Sequence, residues 1–201
     1  MTCKIAIVYY SMYGHVATLA ESVKKGIEAA GAECDIYQVA ETLPDEVLEK
    51  MSAPPKKEHP TITPDKLAEY DGVMFGISGR YGQFSAQIRT FMDSTGSLWQ
   101  KGALTGKAGG VFQSTGSQGG GQETIGLTII PFFAHHGMCF VPLGYAEPKV
   151  FNIDEVHGAS PYGSGTFAGI DGSRMPSALE LEICETHGKH FAGIAAKLAG
   201  K

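Results

Sequence analysis

The chain has few of the residues that would commit it to disulfides, zinc, a bilayer or nucleic acid. Its four cysteines, Cys3, Cys34, Cys139 and Cys184, stand too far apart for a CxxC pair or a zinc spacing, so reduced structural thiols are the plain reading. No run approaches the roughly 18 apolar residues of a membrane span, so no transmembrane segment is expected. No block of like charge occurs either. The 21 acidic and 16 basic residues are interspersed and give a net charge of -5, which argues against nucleic acid as a partner. The opening Met1-Thr2-Cys3-Lys4 enters an apolar strand without the basic segment and cleavage site of an export signal, so a cytoplasmic location is expected.

What the chain does have is apolar material and glycine. It is 201 residues long, 43% hydrophobic and carries 27 glycines, enough for one domain spanning 1–201 with a continuous core. Lys4 to Tyr10 is short, β-branched and apolar throughout, as a strand covered on both faces should be. Val16, Leu19, Ala20, Val23 and Ile27 then recur at helical spacing, with Gly31 placed to end the helix.

Further units alternate in the same way. Strands are predicted at Glu33–Val39, Gly72–Ile77, Ala108–Phe112 and Met138–Pro142, and helices at Asp45–Met51, Ser85–Ser94 and Glu123–His135. Thr63 reads as an N-cap before Pro64, and Ser177 with Glu180 reads as a capping box opening a last helix through Cys184, His187, Phe191, Ile194 and Leu198. Five strands alternating with helices predict an α/β fold: a five-stranded parallel sheet of flavodoxin-like order 2-1-3-4-5, with helices on both faces. Residues 148–176 exceed an ordinary loop, and long ordered loops usually line a site or an interface.

In such a sheet a ligand sits beyond the carboxyl ends of the strands. Three loops at that edge are unusual. Ser11-Met12-Tyr13-Gly14-His15-Val16 combines a hydroxyl, a glycine and the start of a helix, whose free N–H groups favour a phosphate; alone it could equally be an ordinary helix start. Ser78-Gly79-Arg80-Tyr81-Gly82-Gln83 lets backbone approach a planar ring beside an aromatic face, or is simply a tight surface turn. Ser114-Thr115-Gly116-Ser117-Gln118-Gly119 leads into a run of glycines, which a purely flexible polar loop would explain less well.

Competing motifs fail. Gly102 to Ala108 is one residue short of a Walker A loop, and no G-x-G-x-x-G follows the first strand. Adjacent helical residues point about 100° apart, so His135-His136 makes a poor metal site and none is expected. Trp99, the only tryptophan, and His135 would ordinarily be packing and capping residues.

Taken together, several stretches resemble the WrbA family of NAD(P)H:quinone oxidoreductases nearly end to end. They are Tyr9 to His15, Arg89-Thr90-Phe91-Met92-Asp93 with Trp99, Ser114-Thr115-Gly116 leading to Gln122-Glu123, and Ala134 to Gly137, followed by Ser160 to Gly163 and Asp171 to Arg174. One loop departs from the family: where Thr-Pro-Thr-Arg-Phe/Tyr-Gly-Asn is usual, this chain reads Ile77 to Gln83. Losing a proline and gaining a glycine predicts a looser loop, by roughly 0.5–1 kcal/mol per site.

The resemblance implies FMN as cofactor, NADH or NADPH as electron donor, a small-molecule quinone as acceptor, and a homo-oligomer, dimer or tetramer. It implies that Ser11 to Val16 hold the FMN phosphate and that Gly79, Arg80 and Tyr81 with Ser114 to Gly119 flank the ring. Tyr13 would lie near the nicotinamide nucleotide. Trp99, Tyr81 and His135 would form the substrate side, with His135 also touching the cofactor and Trp99 acting across a subunit boundary. The implied chemistry is two-electron, hydride-type reduction by a ping-pong scheme. A flavodoxin-type one-electron carrier and a non-catalytic scaffold that binds FMN weakly are the alternatives, and the mild acidity and the long insertion favour the enzyme.

Overall fold

Where apolar residues fill both faces, the chain extends, and the computed structural model describes residues 1–201 throughout. The strands are β1 (Lys4–Tyr9), β2 (Glu33–Gln38), β3 (Gly72–Arg80), β4 (Gln83–Phe84), β5 (Ala108–Thr115), β6 (Cys139–Phe140) and β7 (Gly165–Phe167). The helices are α1 (His15–Ala29), α2 (Asp45–Lys50), α3 (Ala86–Asp93), α4 (Gly96–Lys101), α5 (Gln122–His135) and α6 (Ala178–Leu198).

The main sheet runs β2-β1-β3-β5-β6 with every neighbour parallel, which is the predicted order once β4 is set aside. Seven strands stand in place of five for two reasons. First, β3 continues beyond Ile77 to Arg80 and turns back on itself, so that β4 pairs with it antiparallel. Second, the fifth strand is split. Cys139 and Phe140 pair with Ala108 and Gly109, then residues 141–164 leave the sheet, and Gly165 to Phe167 return in parallel beside Gln113 to Thr115. The strand predicted at Met138–Pro142 therefore keeps only its middle, and the insertion predicted at 148–176 begins earlier, inside the strand.

Helices cover both faces. Val16, Leu19, Val23 and Ile27 of α1 pack with Cys184, Phe191 and Ala195 of α6 against Ile5, Ile7, Met74 and Phe112 on one side. Ile88 and Phe91 of α3, Leu98 of α4 and Ile125, Ile129 and Phe133 of α5 cover Val8, Phe75, Ile77 and Val111 on the other. The α1–α6 seam is unusually close because it is made by glycines. A Cβ on Gly26 would lie 1.8 Å from the Glu185 carbonyl oxygen, and one on Gly188 would lie 2.1 Å from that of Val23.

Local signals had mixed outcomes. The Ser177–Glu180 capping box forms in both directions, and Gly31 takes the left-handed φ of +83° that ends α1. Thr63 occupies a cap position without a side-chain hydrogen bond, and Pro64–Glu69 is a 3-10 turn rather than an α-helix. Because β7 lies beyond β5, the chain segments leaving β1, β3, β5 and β7 stand side by side along one edge of the sheet.

Candidate functional site

Those four segments enclose a cavity of about 310 Å³. Ser11, Met12, Tyr13 and His15 line it from β1, Ser78 to Arg80 from β3, Ser114 to Gly116 from β5, and Ala168 to Gly172 from β7. Its walls are mostly hydroxyls, glycines and backbone.

The β1 segment is built to receive an anion. Gly14, at φ +92°, turns the chain into α1, and the first hydrogen bond of the helix runs from Thr18 N–H to Gly14 carbonyl. Every backbone N–H from Ser11 to Ala17 is left without a partner in the chain, although Ser11, Met12, His15, Val16 and Ala17 are all buried. No acidic residue occupies the first turn of α1. Buried donors are normally paired, so a row of free ones at the positive end of a 15-residue helix marks where a negative group belongs. His15 adds a further orphan, because its Nε2 is buried in the cavity wall with no partner.

The β3 segment is not the loose loop predicted from its glycine. Ser78 and Gly79 lie inside the strand, and the Ser78 hydroxyl donates to Tyr10 carbonyl at 2.9 Å. A Cβ on Gly79 would come within 2.9 Å of Ile125 and 3.0 Å of the Ser114 carbonyl, so the glycine answers close packing rather than freedom. Tyr81 and Gly82 then form the two-residue hairpin turn with positive φ at both, +52° and +75°, as a type I′ turn requires. That turn leaves the Tyr81 side chain wholly in solvent beside the cavity.

A hydrogen-bonded cluster braces the β1 segment from outside. Lys56 donates to the Ser11 carbonyl at 3.3 Å, forms an ion pair with Glu41 at 2.8 Å and lies 4.4 Å above the Tyr10 ring. Glu41 also accepts from Tyr10 Oη at 2.9 Å, Gln87 Nε2 at 3.0 Å, and the backbone N–H groups of Thr42 and Leu43. Burial would raise its pKa, but the donors outweigh burial and hold the carboxyl down at about 2.

The fourth wall is fastened by the insertion. Ala168 N–H donates to Thr115 carbonyl, and Arg174 N–H to Ala168 carbonyl. Arg174 in turn reaches Glu180, a fully buried carboxylate that also accepts from Gly158 N–H at 2.8 Å, Thr166 Oγ1 at 2.7 Å and Ser177 N–H at 2.8 Å. Gln122 ties the same region to the start of α5, donating to Thr166 carbonyl and accepting from Ala159 N–H. Hydrogen bonds from the Ser173 backbone and hydroxyl keep the Asp171 carboxyl, on the cavity wall, below the usual carboxylate range.

Not every residue singled out in the sequence meets here. Val16 is in the core under the loop, Gly14 shapes the turn, and Ser117, Gln118 and Gly119 lie exposed beyond the cavity wall. Trp99 and His135 share a different hollow of about 270 Å³ with Met92, Asp93, Thr95, Gly96, Phe132 and His136, and none of these lines the first cavity. Within one chain the structure does not bring them to it. There, His136 is fixed by Thr95 Oγ1 at 2.9 Å, and burial, with His135 adjacent, lowers its pKa. The wall that sequence reasoning left unassigned is Ala168 to Gly172. Its signal was the run Gly169-Ile170-Asp171-Gly172, whose glycines both take positive φ.

Comparison with known proteins places the chain in a family. Residues 4–150 match the model of the family described as NADPH-dependent FMN reductase. An NAD(P)H quinone oxidoreductase of Candida albicans is 53% identical over 98% of this chain and 100% of that protein. A quinone-oxidoreductase of Triphysaria versicolor is 54% identical over 98% of each. Among solved structures, a flavodoxin, WrbA-like protein from Agrobacterium tumefaciens superposes with a TM-score of 0.67, covering 98% of this chain and 99% of that one. At 21% identity, this likeness concerns the fold alone.

Proposed function

The chain belongs to the NADPH-dependent FMN reductase family, and from that premise we propose that FMN lies in the four-walled cavity with its phosphate at the start of α1. The protein is an NAD(P)H:quinone oxidoreductase that uses FMN. One observation carries the placement: the unpartnered N–H groups from Ser11 to Ala17, most of them on buried residues, several of which a dianionic phosphate would satisfy. The residues fit the cofactor in other respects as well. The β3 and β5 segments present backbone and hydroxyls where a flat polar ring needs them, and no acidic side chain opposes the phosphate in the first turn of α1.

When bound, FMN supplies the two-electron chemistry between the nicotinamide nucleotide and the quinone. The chain's own work is to bind and orient. Ser11 to Val16 hold the phosphate end, Gly79, Arg80, Ser114, Thr115 and Gly116 hold the ring end, and the Ala168–Gly172 wall limits the entry of water from the insertion side. Tyr13, held by its hydroxyl to Met51 carbonyl, and the solvent-facing Tyr81 provide aromatic surfaces at the rim for donor and acceptor in turn. One rim serving both substrates makes the kinetics ping-pong.

The acceptor side is completed by a second copy of the chain. Beyond its first turn, helix α5 is apolar on its outer face as well: Leu127, Pro131 and Ala134 are exposed beside His135 and Trp99. A helix of that kind is covered in a stable protein, which supports a homo-oligomer bringing Trp99 and His135 to a neighbouring cavity. No helix is long and apolar enough to cross a membrane. The four unpaired thiols support a reducing, cytoplasmic setting.

Steady-state rates with NADH or NADPH against benzoquinone, each at several fixed concentrations of the other, test this reading. Parallel double-reciprocal lines are expected, and intersecting lines would overturn the shared rim.

A further inference from the structure

We propose that Lys56 is a positioning residue for the FMN phosphate, holding the Ser11–Met12 peptide so that the Met12 N–H points into the cavity. The inference rests on the placement of FMN given above and concerns a residue outside the cavity wall.

A peptide unit is planar and trans, so its C=O and N–H point in opposite directions. Lys56 Nζ takes the Ser11 carbonyl at 3.3 Å, and Lys56 is not among the residues that line the cavity, whereas Ser11 and Met12 both are. With the carbonyl turned outward to the ammonium, the Met12 N–H faces inward. That N–H has no partner in the chain, and Met12 is buried.

The ammonium is itself held in place. Glu41 draws it at 2.8 Å, the Tyr10 ring lies beneath it at 4.4 Å, and Glu41 is fixed in turn by Tyr10, Gln87, Thr42 and Leu43. Because Glu41 neutralises it, Lys56 acts through geometry and adds little net field at the phosphate. Without Lys56, the Ser11 carbonyl is free to rotate inward, where it would repel a phosphate and withdraw a donor.

The role predicts discrimination between FMN and riboflavin, which differ only in the phosphate. Fluorescence titration of the full chain should show Lys56→Met weakening FMN about tenfold, the worth of one hydrogen bond to a charged group. Riboflavin binding should change less than twofold. Lys56→Arg, which keeps a donor, should stay within about threefold of wild type for FMN. Equal weakening of both flavins would mean the loop has merely collapsed, and unchanged FMN binding would mean the peptide needs no brace; either result overturns the proposal. If the unaltered protein takes up no FMN, the cofactor placement itself fails, a different outcome from loss of selectivity alone.

Discussion

Replacing Glu180 with glutamine should loosen the fourth wall of the cavity and show which part of the molecule depends on the insertion. The carboxylate is fully buried and every partner is a donor: Gly158 N–H, Thr166 Oγ1, Arg174 Nη1 and Ser177 N–H. A glutamine amide must turn its own N–H₂ toward one side of that ring. It loses at least one hydrogen bond on whichever side the nitrogen takes and removes the charge opposite Arg174. Breaking a buried pair from one partner costs about 3–5 kcal/mol, and the guanidinium here, being about a third exposed, recovers part of that from water. A loss of about 2–4 kcal/mol follows, which in a chain of this length lowers Tm by about 5–15 °C.

The damage should be local as well as global. Arg174 and Thr166 hold β7 and the segment Ala168 to Gly172 in place, so FMN affinity should fall while the β1 cradle, on the far side of the sheet edge, keeps its shape. Urea unfolding monitored by circular dichroism gives the first quantity and fluorescence titration with FMN the second. If Glu180→Gln leaves both within error of wild type, the carboxylate is not what fastens the wall.

Two other perturbations follow from the packing. Gly26→Ala places a methyl 1.8 Å from the Glu185 carbonyl, so α1 and α6 must move apart, and the urea midpoint should drop by the equivalent of about 3 kcal/mol, the upper end for overpacking; a neutral result would contradict the close seam. His187 is wholly buried beneath Ser164, and burial, with His190 nearby, depresses its pKa to about 3. The unfolded chain therefore binds this proton first, so stability is full above about pH 6.5 and declines as pH falls toward 3, by about 2 kcal/mol between pH 7 and 5. Glu41, depressed to about 2, keeps its full contribution above about pH 4.5 and loses it as pH falls toward 2. Denaturation at pH 7, 6 and 5 should show the slope, and His187→Asn should flatten it.

Much of this was legible because the signals were local. The apolar runs of β1, β3 and β5 need nothing but their own composition to be read as central strands, and the end of the cavity proposed for the phosphate is one continuous segment, Ser11 to Val16. The resemblance added roles to residues that spacing alone left open. Two features were misread, one through a contact distant in sequence and one through the length of the turn it opens. Gly79 looked like freedom, yet Ile125 and Ser114 press against it. Thr63 had the chemistry of a cap, but the turn it opens is too short to need one. Trp99 lies away from the cavity of its own chain, in keeping with the subunit boundary the resemblance implied, and His135 shares its hollow.

The split fifth strand has a physical reason that joins fold to site. Had Cys139 to Pro142 simply continued, the sheet edge beside Gln113 to Thr115 would be filled by the same strand, and the chain would pass directly toward α6. Leaving the sheet at residue 141 and returning at Gly165 puts residues 141–164 outside it, and β7 then runs into Ala168 to Gly172 at the open edge of the cavity. The return is secured by polar groups that would be costly to bury alone, chiefly Glu180 and Gln122, each bonded to a backbone N–H inside the detour, Gly158 or Ala159, and to Thr166 just after it. Shortening the detour would take from them the Gly158 and Ala159 donors and loosen the fourth wall. The insertion therefore shapes the cavity proposed to hold FMN, although only the five residues Ala168 to Gly172 that follow it line that cavity.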